Sequence, residues 1–369
     1  MKQIWHFKMF WVFTLLSVSL LAQNNNEWKK KPTISSMQFL DIFYTYDFNQ
    51  PQNTERQPFF YNHNRHNEFN LNLGLVKFAL DHSKYRANFA LQTGTYANDN
   101  YAAEPGLLKA VFEANIGISL NKKNTLWLDA GILPSHIGFE SAISMDNPTL
   151  TRSILAENSP YYLTGVKFTY NLNAKWEIAG LIANGWQRIQ RLEGSSLPSF
   201  GTQVHFKPSI NTTFNWSTFV GTDDPDTSRR IRLFNNLYSE FQLGKNLQII
   251  AGFDIGIQQQ SKNSSKYDSW FSPIIIGKIT HSEKWKSTLR VEYYQDKTGI
   301  IIPMNTTSGF KTSGFSYNVD YAPIPELMCR VETRWLKSTD NVFQKDPNTT
   351  NGIFFISVSM AIKFSEILN

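Results

Sequence analysis

Ser135 and His136 set a hydroxyl beside a base, the first pairing in the sequence that suggests chemistry. Nucleophilic catalysis needs the base turned toward the hydroxyl. Adjacent residues of an extended chain point to opposite sides, and no Gly-x-Ser-x-Gly turn occurs. His63 and His66 lie among Asn62, Asn64 and Arg65, without the carboxylates that would complete a metal site. Asp223, Asp224 and Asp226 offer oxygens for calcium, but suit an acidic turn around Pro225 equally well. The single cysteine, Cys329, removes intramolecular disulfides and Cys-based zinc sites. No phosphate-binding loop or dinucleotide fingerprint is present. The chain thus reads as a non-enzyme with neither cofactor nor resident metal.

A different set is more informative. Arg290 and Glu292 are two residues apart, as are Arg330, Glu332 and Arg334. On strands, that spacing puts each group on one face. The same alternate face elsewhere carries Asp41, Arg86, Glu113, Asp129, Lys167, Glu177, Lys207, Arg232, Glu240, Asp254, Lys278 and Lys286, with mixed signs. Such a face either lines a water-filled lumen and orients polar solutes or pairs internally and stiffens a wall.

The elements carrying these residues repeat with period two. Leu40, Ile42, Tyr44, Tyr46 and Phe48 alternate with Phe39, Asp41, Phe43, Thr45 and Asp47. About sixteen such segments are expected, near 33–48, 67–80, 85–96, 107–120, 125–133, 161–172, 176–186, 199–207, 211–221, 231–243, 247–258, 270–280, 285–296, 314–321, 327–336 and 352–364. Short connections such as 121–124 and 244–246 alternate with long polar ones near 49–66, 97–106, 134–160, 187–198, 222–230, 259–269, 297–313 and 337–351. Short turns on one rim and long loops on the other describe a transmembrane β-barrel.

Composition agrees. Of 369 residues, 14% are aromatic and only 18% charged, against about 25% charged in soluble domains. A soluble sandwich would charge its outer face, whereas here one face of nearly every segment is apolar. A membrane imposes that pattern and requires a closed edge. Trp127, Trp186, Trp216, Trp270, Trp285 and Trp335 fall near segment ends, where aromatic girdles sit. Lys77 shares the parity of Phe69, Leu71, Leu73 and Leu75, so a bulge near Val76 or snorkelling at the rim is expected. The net charge of +6 is too small and dispersed for nucleic acid.

The expected organisation follows. Residues 1–22, basic then apolar and ending in Ala22, form a cleaved signal peptide. Residues 23–32 are a short periplasmic segment, too short for a plug domain, and 33–364 form a single antiparallel up-and-down barrel. Residues 365–369 are a periplasmic tail after Phe364. Short turns are periplasmic, long loops extracellular. The longest loop, 134–160, folds inward to bury Phe139, Ile143, Leu150, Ile154 and Leu155, or stands outward as a lid or trimer contact. Arg152 and Glu157 are the loop's candidate constriction residues, and Arg290, Glu292, Arg330, Glu332 and Arg334 the wall's.

The runs Gly131-Ile132-Leu133-Pro134-Ser135-His136-Ile137-Gly138-Phe139-Glu140-Ser141, Asp146-Asn147-Pro148 and Thr151-Arg152-Ser153-Ile154-Leu155-Ala156-Glu157-Asn158-Ser159-Pro160-Tyr161 resemble the putative β-barrel porin family (OmpL-like, porin-2) of Bacteroidetes-type bacteria. The resemblance is strongest over about 125–175. It implies an outer-membrane porin of a Gram-negative cell and no catalytic residues. The expected function is passive diffusion of small polar solutes or ions, with outer-membrane lipid and a homotrimer as partners. The alternatives are a surface binding or adhesion protein anchored by an occluded barrel, and an outer-membrane hydrolase.

Overall fold

The computed structural model describes residues 25–368. The leader expected over 1–22 lies outside them. After a short helix, Asn25–Trp28, sixteen strands close into one antiparallel barrel. They are β1 Thr33–Asp47, β2 Phe69–Asp81, β3 Tyr85–Thr93, β4 Val111–Ser119, β5 Leu126–Pro134, β6 Tyr162–Asn171, β7 Trp176–Ala183 and β8 Ser199–Ser209. There follow β9 Thr212–Gly221, β10 Arg232–Leu243, β11 Leu247–Gln259, β12 Tyr267–Thr280, β13 Trp285–Asp296, β14 Phe310–Ile324 and β15 Leu327–Ser338. A small hairpin, β16 Phe343–Lys345 and β17 Asn348–Thr350, stands in the last long loop before β18, Gly352–Ile367. Each barrel strand pairs with its sequence neighbour, and β18 closes on β1 with Ser35 opposite Ile367. The start of β1 and the end of β18 therefore sit at the short-turn rim. Residues 365–367 are not a free tail, because they pair with 35–37.

The alternation sorts as period two demands. Outward residues such as Leu40, Ile116, Val291 and Met360 are exposed, as a lipid-facing wall must be. Inward Asp41, Thr45, Asp254, Arg290 and Glu332 are buried. The core lies inside the barrel. Toward the long-loop rim it is aromatic, with Phe59 4.8 Å from both Phe60 and Phe310 and 6.2 Å from Phe343.

Three expectations need correction. The bulge that turns Lys77 inward sits between Leu71 and Leu73 rather than near Val76. The cause is Asn72, whose amide reaches Asp41 and Asn62 while its Oδ1 accepts from His63 N at 2.8 Å. Leu73 and Leu75 consequently face the lumen with Lys77. The six tryptophans do not form one girdle: Trp216, Trp285 and Trp335 face outward, but Trp127 and Trp270 are buried. Trp127 donates to Asn124 O beneath Arg86. Trp270 fits because Gly256 faces it, and a Cβ there would lie 2.1 Å from the indole. Trp186 packs on Phe219 and Phe234. Finally, 95–96 and 107–110, expected at strand ends, belong to two short helices, 95–100 and 106–110, of the second long loop.

Candidate functional site

The connection from β5 to β6, residues 135–161, runs inside the barrel. Its entry lies over β8–β10. His136 Nε2 meets Thr218 O at 2.8 Å, and His136 O accepts from Ser217 Oγ at 2.6 Å and Gln203 Nε2 at 3.1 Å. Gly138 N donates to Asn236 Oδ1, and Phe139 packs on Tyr238. The loop then crosses to β1 and β18, where Ser144 Oγ donates to Asp41 and Lys363 pairs with Asp146.

Along β13–β15 the loop is held by charge. Arg330 Nε donates to Asp320 at 2.7 Å, while its Nη atoms donate to Ser144 O and Asn147 O. Arg290 donates to Thr149 Oγ1, Thr151 O and Thr151 Oγ1 and pairs with Glu332 at 2.8 Å. Glu332 Oε2 accepts from Thr151 N at 2.6 Å. Arg334 pairs with Glu292 at 2.6 Å and donates to Arg152 O. Glu292 Oε2 accepts from Ile154 N, opening the helix Ile154–Glu157 that Ser153 caps. Glu157 in turn accepts from Tyr61 N and Asn62 N of the first long loop. Arg152 lies 3.9 Å from Glu157, its guanidinium over Tyr161.

The ladder can form because β14, between its two strands, is small inward. Gly314 and Ser316 pair with Glu292 and Arg290, and a Cβ on Gly314 would lie 2.7 Å from Glu292 Cγ. Long side chains from β13 and β15 therefore meet over β14. Buried charges of this kind are tolerated only when paired and fully hydrogen-bonded. Here backbone and hydroxyl groups of the loop add partners for Arg290, Arg330 and Arg334.

All seven residues singled out in the sequence fall in this arrangement. Arg152, Glu157, Arg290, Glu292, Arg330, Glu332 and Arg334 are each between 0% and 3% exposed. They touch the loop or belong to it. Thr149, Thr151, Asn318 and Asp320, which complete the ladder, escape sequence reading because short polar residues are common on any inward face. The charges that keep contact with water lie elsewhere: Lys77, paired with Glu113, is 27% exposed, and Arg86, paired with Asp129, is 34% exposed.

Two hollows flank the loop. One, of about 330 Å³, lies between its inner edge and the wall at Met37, Lys77, Phe112 and Glu113. The other, of about 250 Å³, opens among the long loops at Tyr61, Glu157, Trp186 and Arg232. Ser159 lines both.

A family model described as "Putative beta-barrel porin-2, OmpL-like" matches residues 34–364. The chain belongs to that family. It is an outer-membrane porin, a closed barrel with an inward loop. The solved structures similar to it include an anion-selective porin from Comamonas acidovorans, with TM-score 0.62, 8% identity, and 90% of this chain and 100% of that one covered. OmpF of Salmonella typhi, in complex with daunomycin, has TM-score 0.59 and 8% identity over 90% of this chain and 97% of its own. The trimer form of OmpT, an outer membrane protein of Vibrio cholerae, has TM-score 0.57 and 9% identity over 91% of this chain and 100% of its own. At these identities the likeness is one of fold. No curated protein matches the chain in sequence.

The other candidate chemistries of the sequence are occupied by the porin's own contacts. His63 Nε2 lies 2.9 Å from Asp41 Oδ2, and His66 Nδ1 accepts from Asp47 N. Asp223, Asp224 and Asp226 pair with Arg188, Arg230 and Arg229. Ser135 Oγ accepts from Ile137 N, while His136 is held on Thr218. Burial pushes His136 down to about 4, so the loop docks with a neutral imidazole. A depressed histidine keeps its contribution above the unfolded value of 6.5 and loses it as pH falls toward 4. About 3 kcal/mol of docking depends on this. Acidification from pH 7 to 4 should therefore raise open-channel noise, and His136→Gln, which keeps a side-chain N–H donor for Thr218 O but does not titrate, should flatten that dependence.

Proposed function

We propose that the porin is a narrow diffusion channel in which residues 135–161 form the constriction, admitting small polar solutes or ions. The observation that carries this reading is the loop's course. It is pinned at its entry to β8–β10 and along its middle to β13–β15, leaving hollows on either side, both lined by Ser159. Arg290, Glu292, Arg330, Glu332 and Arg334 act by holding the loop, and Arg152 and Glu157 by shaping its inner edge. The protein works as a channel rather than an enzyme. The signal peptide is cleaved after Ala22, the short-turn rim is periplasmic, and the same reading includes a homotrimer, the form named for the Vibrio cholerae neighbour.

Liposome swelling tests it. Reconstituted protein should pass glycine and pentoses readily and trisaccharides at least tenfold more slowly. Equal rates for all would contradict a constriction. No swelling with any solute would favour the second reading, a surface binding protein on an occluded barrel. That reading is supported by the aromatic packing of Phe59, Phe60, Phe310 and Phe343 near the mouth.

A further inference from the structure

Arg232, the first residue of β10, is 6% exposed and forms no ion pair among the described residues. The acidic residues just before it are taken, Asp223 by Arg188 and Asp224 by Arg230. Among the described residues its one side-chain hydrogen bond runs from Nε to Gln258 Oε1 at 2.9 Å, which fixes the plane of the guanidinium. Trp186 and Trp270 flank it, with ring centroids 4.9 and 5.8 Å from Cζ. Among the described residues Nη1 and Nη2 donate to no protein atom, and the residue lines the 250 Å³ hollow among the long loops. A buried cation outside any ion pair is costly, and this one faces a hollow among the long loops.

The rest of the hollow suggests what answers that charge. Glu157 is balanced by Arg152 and three loop donors, Asp223 by Arg188. Among the charged residues lining the hollow, Arg232 is the one outside an ion pair. The fork of an arginine fits a planar carboxylate with two parallel hydrogen bonds. Trp186, Ile300 and Ile301 supply an apolar flank on the same hollow.

We propose that Arg232 and this hollow form a binding site for a small monovalent organic acid, its carboxylate on the free edge of the guanidinium and its carbon chain against Trp186 and Ile300. The site deepens the porin reading and rests on it: the acid is held at the outer side of the loop before crossing.

The test is calorimetric titration of the full barrel in detergent with butyrate, with butylammonium and inorganic phosphate as comparators. Butyrate should bind saturably, phosphate more weakly for want of a carbon chain, and butylammonium not at all. Arg232→Gln should weaken butyrate binding about tenfold, the loss expected for a charge-assisted pair. Arg232→Lys, which keeps the charge without the fork, should lie between. Arg191→Gln, in the same loop as Trp186, should bind as the wild type does. Heat-modifiable migration on gels checks that each variant is a folded barrel. Equal butyrate affinity in the folded Gln variant, or equal binding of butylammonium, overturns the proposal. Phosphate bound as tightly as butyrate overturns the organic-acid assignment. Binding is read without conduction, so the two claims fail separately. Butyrate bound by a barrel that passes no solute overturns the porin reading alone, and a conducting barrel that ignores butyrate overturns the site alone.

Discussion

Arg290→Ala is expected to free the constriction loop, raising single-channel conductance at least twofold with frequent flicker, and to lower the barrel's thermal midpoint. Arg290 is the hub of the ladder. It donates to Thr149 and to both oxygens of Thr151, pairs with Glu332 at 2.8 Å and lies 3.4 Å from Glu292. Alanine leaves Glu332 buried without its ion-pair partner, since Arg334 is engaged by Glu292. Breaking one partner out of a buried pair costs about 3–5 kcal/mol. Undocking the loop admits water to the carboxylate, so that is the direction the molecule takes. Arg290→Lys restores charge but not the fork and should recover only part of the loss. Conductance and midpoint both at wild-type values in Arg290→Ala would mean the ladder does not hold the loop.

The barrel was legible because its cause is local and repeated. Alternation over segments such as 247–258 has no other stable use, and the strand found is Leu247–Gln259. The two ends of the long-loop rim were harder. Strand β14 begins at Phe310, earlier than its alternation suggests, since Lys311 and Ser313 break the apolar face that marks a strand in sequence. Asn72 was invisible as a bulge because its reason, Asp41 on one side and His63 on the other, is assembled only in three dimensions.

The candidate site was half legible. Spacing of two put Arg330, Glu332 and Arg334 on one face, and the density of residues 134–160 marked the loop. Two adjacent facts were hidden. The ladder needs Gly314 and Ser316 on the strand between, and its partners are largely loop backbone atoms, which carry no sequence signature. Sequence also placed Arg232 among many inward charges. What sets it apart is that the neighbouring carboxylates, Asp223 and Asp224, are paired with Arg188 and Arg230, a property of positions rather than of residue types.

The second large effect concerns the loop itself. Ser135 N donates to Tyr161 O at 2.9 Å, and Pro134 stands opposite Tyr162. The loop thus leaves and re-enters the wall at neighbouring points. Removing residues 137–158 and joining the ends through two glycines makes a short hairpin turn without moving β5 or β6. Arg290, Glu292, Arg330, Glu332 and Arg334 would then face water, still paired with each other and with Asp320. Sixteen strands enclose a lumen too wide for side chains alone to fill. Single-channel conductance of the intact protein and of this deletion, recorded side by side in planar bilayers, is the most direct measurement. A small steady conductance that rises several-fold on deletion is the predicted result. Equal conductance in the two proteins, or none in the intact one, would contradict a pore narrowed by this loop.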